Sequence, residues 1–252
     1  MWDAHFVHPI REAVITPDDA HRSMEAVATA IQFKYNDDAC QRVIYSESHD
    51  EVANGKARVP QEINPGDPTG WFAQKRSTLA AALVFTAPGI PMLFQGQEFL
   101  AAGAFNDTEP LDWAEADRHV SLGRLYRDLI GLRRNVGGHT RGLGGQHTRV
   151  FHVNEADKLV AFARQFADGG PGDTTLVLAN FANQTHPAYT IGLPGPGRWL
   201  VRFNSDWRGY DGEFGDFESL SLEAEAGEYD GFGWHGSIGV APYAVLILSQ
   251  ED

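Results

Sequence analysis

Cysteine is nearly absent from this 252-residue chain, where Cys40 stands alone. A single thiol excludes an internal disulfide and any metal site built from several cysteines. Because Cys40 precedes an apolar run, it reads as a small buried hydrophobe rather than a reactive thiol. Basic residues are also scarce, 20 against 34 acidic ones, and the formal net charge is -14. Such a surface repels phosphate backbones, so nucleic acid is a poor candidate partner, whereas a neutral substrate suits it. Long apolar runs are missing too, and no stretch reaches the length of a membrane span. The first residues, with His5, His8, Pro9 and Arg11, lack the apolar segment of a signal peptide. His5 and His8 are spaced as on a helix, but Pro9 follows, so they read as loop residues. Asn54-Gly55-Lys56 has neither the earlier glycine nor the following hydroxyl residue of a phosphate loop.

What is present is enough apolar material, 42% of residues, to bury a real core. The first half alternates between two periodicities. Residues 18 to 35 read as a helix that Asp18 or Asp19 can cap, with Met24, Val27, Ala28 and Ile31 at helical spacing. Arg42 to Ser46 is a short β-prone run that ends in polar Glu47-Ser48-His49-Asp50-Glu51. Residues 54 to 70, rich in glycine and proline, read as a loop. Residues 71 to 86 read as a second helix, with Phe72, Leu79 and Leu83 as its stripe and Pro88-Gly89 as its stop. Ile90 to Phe94 is a second apolar strand, again ending in a polar cluster, Gln95-Gly96-Gln97-Glu98. A third helix is expected over residues 117 to 135, with Leu122, Leu125, Leu129 and Leu132 on one face. Strands alternating with helices predict parallel pairing through crossovers. In a βα barrel the carboxyl ends of the strands carry the active site, so two polar strand ends point to one catalytic face.

The pattern changes after Gly137. Residues 137 to 146 include five glycines and read as a boundary. Beyond them come short β-prone runs at Arg149 to Val153, Leu159 to Gln165, Thr175 to Asn180, Trp199 to Phe203 and Tyr243 to Leu248, separated by turns. They predict an antiparallel β-sandwich able to stand alone. The expected organisation is therefore residues 1–136 as the end of a barrel and residues 137–252 as an all-β domain.

Taken alone, Asp50 capping a turn beside an exposed His49 explains the first polar cluster as well as a site does. Glu47, His49 and Glu51 alternate and would share one face of an extended chain. No second histidine stands at ligand spacing, so no metal and no other cofactor is expected. Two strings together say more. Tyr45-Ser46-Glu47-Ser48-His49-Asp50-Glu51-Val52 closely resembles a shared sequence region of the α-amylase family of retaining glycoside enzymes. Pro88 to Glu98, followed by Leu111-Asp112-Trp113, resembles that family's eighth barrel strand, and Met1-Trp2-Asp3 resembles the chain just after the sixth. Within the family, Ser48 to Val52 with Gly55-Lys56 is most similar to glucan branching enzymes.

The resemblance implies the last two strands and helices of a TIM-type (β/α)8 barrel followed by an antiparallel β-sandwich domain. It implies an α-1,4-glucan as partner, a cytoplasmic setting, and neither nucleic acid nor membrane. It makes Asp50 a carboxylate that stabilises the transition state, with His49 and Glu51 as substrate contacts. Retaining chemistry also needs a nucleophile and an acid/base carboxyl about 5 Å apart. The family's Gly-Phe-Arg-x-Asp run around the nucleophile is absent, so a missing N-terminal barrel portion is expected as partner and no activity from these residues alone. Branching, amylase-type hydrolysis, and a non-catalytic glucan-binding or structural remnant stay open as readings. Trp71, Trp113, Trp199, Trp207 and Trp234 are expected mostly in the core. The stretch from Asn204 to Trp234 is a weaker candidate for a surface that touches glucan.

Overall fold

The computed structural model describes residues 1–53 and 55–250. Asn54, the first residue of Asn54-Gly55-Lys56, lies outside the described residues, as do the last two of the expected β domain.

The first half is built on three parallel segments. Strand β1 (Val43–Ile44) uses its two edges alternately. Val43 N donates to Met1 O at 2.8 Å, and Asp3 N donates to Val43 O at 3.0 Å, which sets the Met1–Asp3 segment on one side. Ile90 N and Met92 N donate to Arg42 O and Ile44 O, which sets β2 (Ile90–Pro91) on the other. Helices fill the connections: α1 (Ala4–Ile15) and α2 (Met24–Gln32) before β1, α3 (Val59–Ile63) and α4 (Trp71–Thr86) before β2, then α5 (Trp113–Arg118) and α6 (Val120–Arg133). None of these is long and apolar enough to cross a membrane.

Several expectations are corrected here. His5 and His8 lie in α1, not in a loop. The Asp3 carboxylate caps that helix on His5 N at 3.0 Å, and burial of Phe6, Val7, Ile10 and Val14 carries it through Pro9 in its interior. The single helix expected over residues 18 to 35 is split. A 3-10 turn, Asp19–His21, is capped by Asp18; Arg22 is extended; Ser23 then caps α2 on Ala26 N. The break is held by the Arg22 guanidinium, which is buried against Thr16 O, Phe181 O and Asp19. The third helix is likewise broken at His119. The loop expected over 54 to 70 contains α3, which starts with Pro60 in its first turn. Cys40 is exposed, because it sits in a 3-10 turn whose buried position is taken by Ala39.

Helix α4 spans the expected residues, but Phe72 is exposed and every residue from Ala73 to Thr86 is buried. It is surrounded by α1, α3, α6 and the β half, so it has no solvent face. Most of its polar side chains find partners inside: Lys75 in Asp206, Arg76 in Thr16 O and Ile63 O, Thr86 in Ala82 O, while Gln74 Oε1 and Arg76 Nε are buried without a hydrogen bond.

The second half is antiparallel. A six-stranded sheet runs in the order β3 (His147–Asn154), β4 (Leu159–Gln165), β5 (Thr174–Asn180), β11 (Val245–Gln250), β7 (Arg198–Asn204), β8 (Ser221–Glu223). A three-stranded sheet pairs β6 (His186–Leu193), β10 (Phe232–Val240) and β9 (Glu225–Tyr229). Strands β4, β5 and β11 are buried almost throughout, which explains why they read as apolar runs. Leu159, Ala161, Leu176, Leu178, Leu246 and Leu248 face the smaller sheet. Their neighbours Val160, Phe162, Val177, Ala179, Val245 and Ile247 join the core of the helices. The sandwich therefore shares one core with the first half. Among the five tryptophans expected mostly inside, only Trp199 is fully buried; Trp71 and Trp234 are half-buried, and Trp113 and Trp207 are exposed.

Candidate active site

The site is the turn that follows β1. Four residues after the strand, Tyr45 to Ser48, are buried, and the chain then reverses: Glu51 N donates to Ser48 Oγ and Val52 N to Ser48 O. His49 and Asp50 stand at the crest with side chains 48% and 74% exposed. His49 Nε2 lies 3.3 Å from Asp50 Oδ1. Around them is a rim of aromatic rings. Trp2 and Phe105 meet the His49 ring edge-on at 5.4 and 5.8 Å, and Tyr45 lies beside Trp2 at 5.7 Å. Burial, and then the carboxylates of Glu51 and Asp50, push the Tyr45 phenol above its ordinary range.

Below the crest, buried charges fix the turn. Glu47 is fully buried; its Oε2 pairs with Arg58 Nη1 at 3.1 Å and its Oε1 accepts from Val59 N at 2.6 Å. Burial raises the Glu47 carboxyl, and the Arg58 charge works against that rise. Arg58 also donates to Gln95 O and lies over the Phe94 ring, so it joins the end of β1 to the end of β2. Arg11 reaches from α1 to Ser46 O at 2.9 Å and pairs with Glu62 at 2.8 Å. Gln97 donates to Ser46 Oγ at 2.8 Å. The buried Glu47–Arg58 pair lies under the turn and ties it to the start of α3 and to the end of β2.

The structure thus brings His49 and Asp50 together and exposes them, while Glu47 is withdrawn into the scaffold. Glu51 is also turned inward, near Arg11 at 3.8 Å, Lys56 at 3.4 Å and His8 at 3.9 Å. The extended chain that would align Glu47, His49 and Glu51 is replaced by a turn. Among the described residues no group of three or more His, Cys, Asp or Glu could hold a metal ion. Sequence reasoning passed over Arg11, Arg58 and Phe105, whose partners lie too far along the chain to leave a local signal. Tyr45 and Trp2 were visible only as members of motifs.

Residues 150–251 match the family described as alpha amylase, C-terminal all-beta domain. Among curated proteins the chain is similar to 1,4-alpha-glucan branching enzymes named GlgB. That of Frankia casuarinae is 32% identical over 209 residues, 80% of this chain and 25% of the relative. That of Rhodopseudomonas palustris strain BisB5 is 28% identical, across 100% of this chain and 34% of the relative. The chain therefore spans about a quarter to a third of the length of these relatives. Among solved structures, a pullulanase from Anoxybacillus sp. LM18-11 complexed with maltotetraose aligns with TM-score 0.66 at 18% identity, over 99% of this chain and 35% of that one. Apo pullulanase from Paenibacillus barengoltzii aligns with TM-score 0.62 at 23% identity, over 100% and 38%. At that identity the likeness concerns the fold alone.

Proposed function

Because the chain carries the α-amylase C-terminal all-β domain and is a relative of 1,4-alpha-glucan branching enzymes, we propose that it is the C-terminal part of such an enzyme. In this reading residues 1–136 close a (β/α)8 barrel and residues 137–252 form the domain that follows it. Three parallel segments in chain order, each followed by helix, support the barrel. Among the described residues neither outer edge of this small sheet is paired. Met1, Trp2 and Ile90 at those edges are exposed, as expected where further strands would seat.

The observation that carries the chemistry is the exposed His49–Asp50 pair on a rigid, aromatic-rimmed turn at the carboxyl end of β1. Asp50 acts there as the third carboxylate. It accepts hydrogen bonds from sugar hydroxyls, and its charge favours the oxocarbenium-like transition state. His49 donates to a hydroxyl of the same sugar. Glu51 completes the contact set from below, with most of its carboxylate engaged by Arg11 and Lys56. The nucleophile and the acid/base carboxyl come from barrel strands outside these 252 residues. The enzyme cleaves an α-1,4 link and passes the glycosyl group to a 6-hydroxyl of a glucan.

Fusion of this chain to the N-terminal part of a related branching enzyme tests the proposal. Incubated with amylose, the fusion is expected to shift iodine colour with few new reducing ends. A rise in reducing ends in step with the iodine change would instead mean hydrolysis. The 252-residue chain by itself is expected to show no turnover.

A further inference from the structure

A cavity lies away from this turn. It has a volume of about 550 Å³ and sits between β7 and the segment from Asn204 to Leu220. We propose that it is a second glucan-binding site, which holds part of an α-glucan chain on the β half.

The lining suits a neutral sugar. Trp207 is 42% exposed although it lies on a structured loop. Its indole is held by the Tyr210 ring at 4.9 Å and 87° and by the chain at Gly209, and the Arg124 guanidinium lies over the ring 5.9 Å from its centre. A Cβ at Gly209 would lie 2.5 Å from carbons of the ring, so glycine is what lets the backbone approach it. Phe217 adds a second apolar wall, while Asp216, Glu218 and Arg202 supply hydrogen-bonding groups. A flat aromatic surface beside a few charged acceptors is a common plan for binding a molecule with apolar faces and hydroxyl edges. Two carboxylates at the opening disfavour an anion, as does the overall charge of -14.

The loop is also preorganised. Asp206, buried, accepts from Gly215 N at 3.2 Å and from Phe217 N at 2.9 Å, and its own carbonyl accepts from Asp216 N. The same carboxylate is paired with buried Lys75 of α4 at 2.7 Å. Helix α4 thereby anchors the cavity wall to the helical half of the chain.

The choice of an α-glucan rests on the proposed function; the presence of a site does not. Calorimetry of the 252-residue chain with maltoheptaose tests it. Binding is expected, and Trp207→Ala is expected to weaken it about tenfold, the order for loss of one aromatic surface. Trp207→Tyr should restore most of it. Circular dichroism melting of each variant checks that the fold is kept. No binding by the wild-type chain, or equal binding by Trp207→Ala, would overturn the site. Equal binding of cellohexaose would overturn the α-glucan assignment. Trp207-dependent binding by a chain whose fusion forms no branches would uphold this site and sink the functional reading alone.

Discussion

Lys75 and Asp206 offer the sharpest test of how the two halves are joined. The pair is 2.7 Å apart, with side chains 0% and 2% exposed, and it connects α4 to the loop after β7. Burial pushes the Lys75 ammonium below its ordinary value, and Asp206 works against that fall. Removing one partner leaves a buried charge uncompensated, which costs about 3–5 kcal/mol. The two single variants should differ. Lys75→Met leaves a carboxylate that still accepts from Gly215 N and Phe217 N, so its cost belongs at the lower end. Asp206→Ala leaves an ammonium over the Phe214 ring at 4.9 Å and also removes the acceptor of those two N–H groups, so it belongs at the upper end. For a chain of this size the melting temperature should fall by about 6–12 °C for Lys75→Met and about 10–20 °C for Asp206→Ala. Lys75→Met with Asp206→Asn should recover part of the loss, because no full charge is left buried. Thermal denaturation followed by circular dichroism reads all three. A Lys75→Met variant melting within about 2 °C of wild type would refute the claim that this pair is desolvated and intact.

Three further outcomes follow from the same packing. A Cβ at Gly145 would lie 1.7 Å from Gln165 O, a backbone atom of β4, so Gly145→Ala should destabilise by about 3 kcal/mol in urea titrations, while Gly144→Ala, in open space, should be neutral. Burial raises the phenols of Tyr126 and Tyr210 above their ordinary value of 10.0. A raised folded pKa gives stability that is whole below the unfolded value and lost as pH climbs past it, so melting temperature should drop above pH 10. Absorbance at alkaline pH should show these two tyrosines ionising only as the chain unfolds; reversible ionisation of all seven tyrosines in the folded state would contradict their burial. Residues 137–252 expressed alone would uncover Phe162, Val177, Val245 and Ile247, so that piece should lack the cooperative melting of the whole chain.

Much of the fold was legible because local pattern and tertiary role agree. The limits of α4 follow from its run of good helix formers and the Pro88 stop, and β4 and β11 follow from their apolar runs. What failed did so where a distant partner decides the outcome. The buried apolar face of α1 outweighs Pro9, and the carbonyls bound by Arg22 break the first expected helix. Strands β6 and β10 were missed because they contain Pro187 and four glycines, residues that ordinarily mark turns; pairing with each other holds them extended. The stripe expected on α4 holds for Leu79 and Leu83 but not for Phe72, and it was too narrow, because periodicity cannot reveal a helix that is covered on every side. The candidate site was legible as a motif, and its exposed crest is where His49 and Asp50 were expected. Its foundation was not, since Arg11 and Arg58 act through residues 11 to 51 positions away.

Asp50 carries the proposed chemistry. In the fusion with the N-terminal part of a related branching enzyme, new α-1,6 links formed from amylose can be counted by proton NMR. Asp50→Asn keeps the size of the side chain and removes its charge, so it is expected to lower the rate of link formation by about a hundredfold or more with the melting temperature unchanged. A variant that forms branches within about twofold of the wild-type fusion, a difference of less than 1 kcal/mol in the barrier, would contradict the role assigned to this carboxylate.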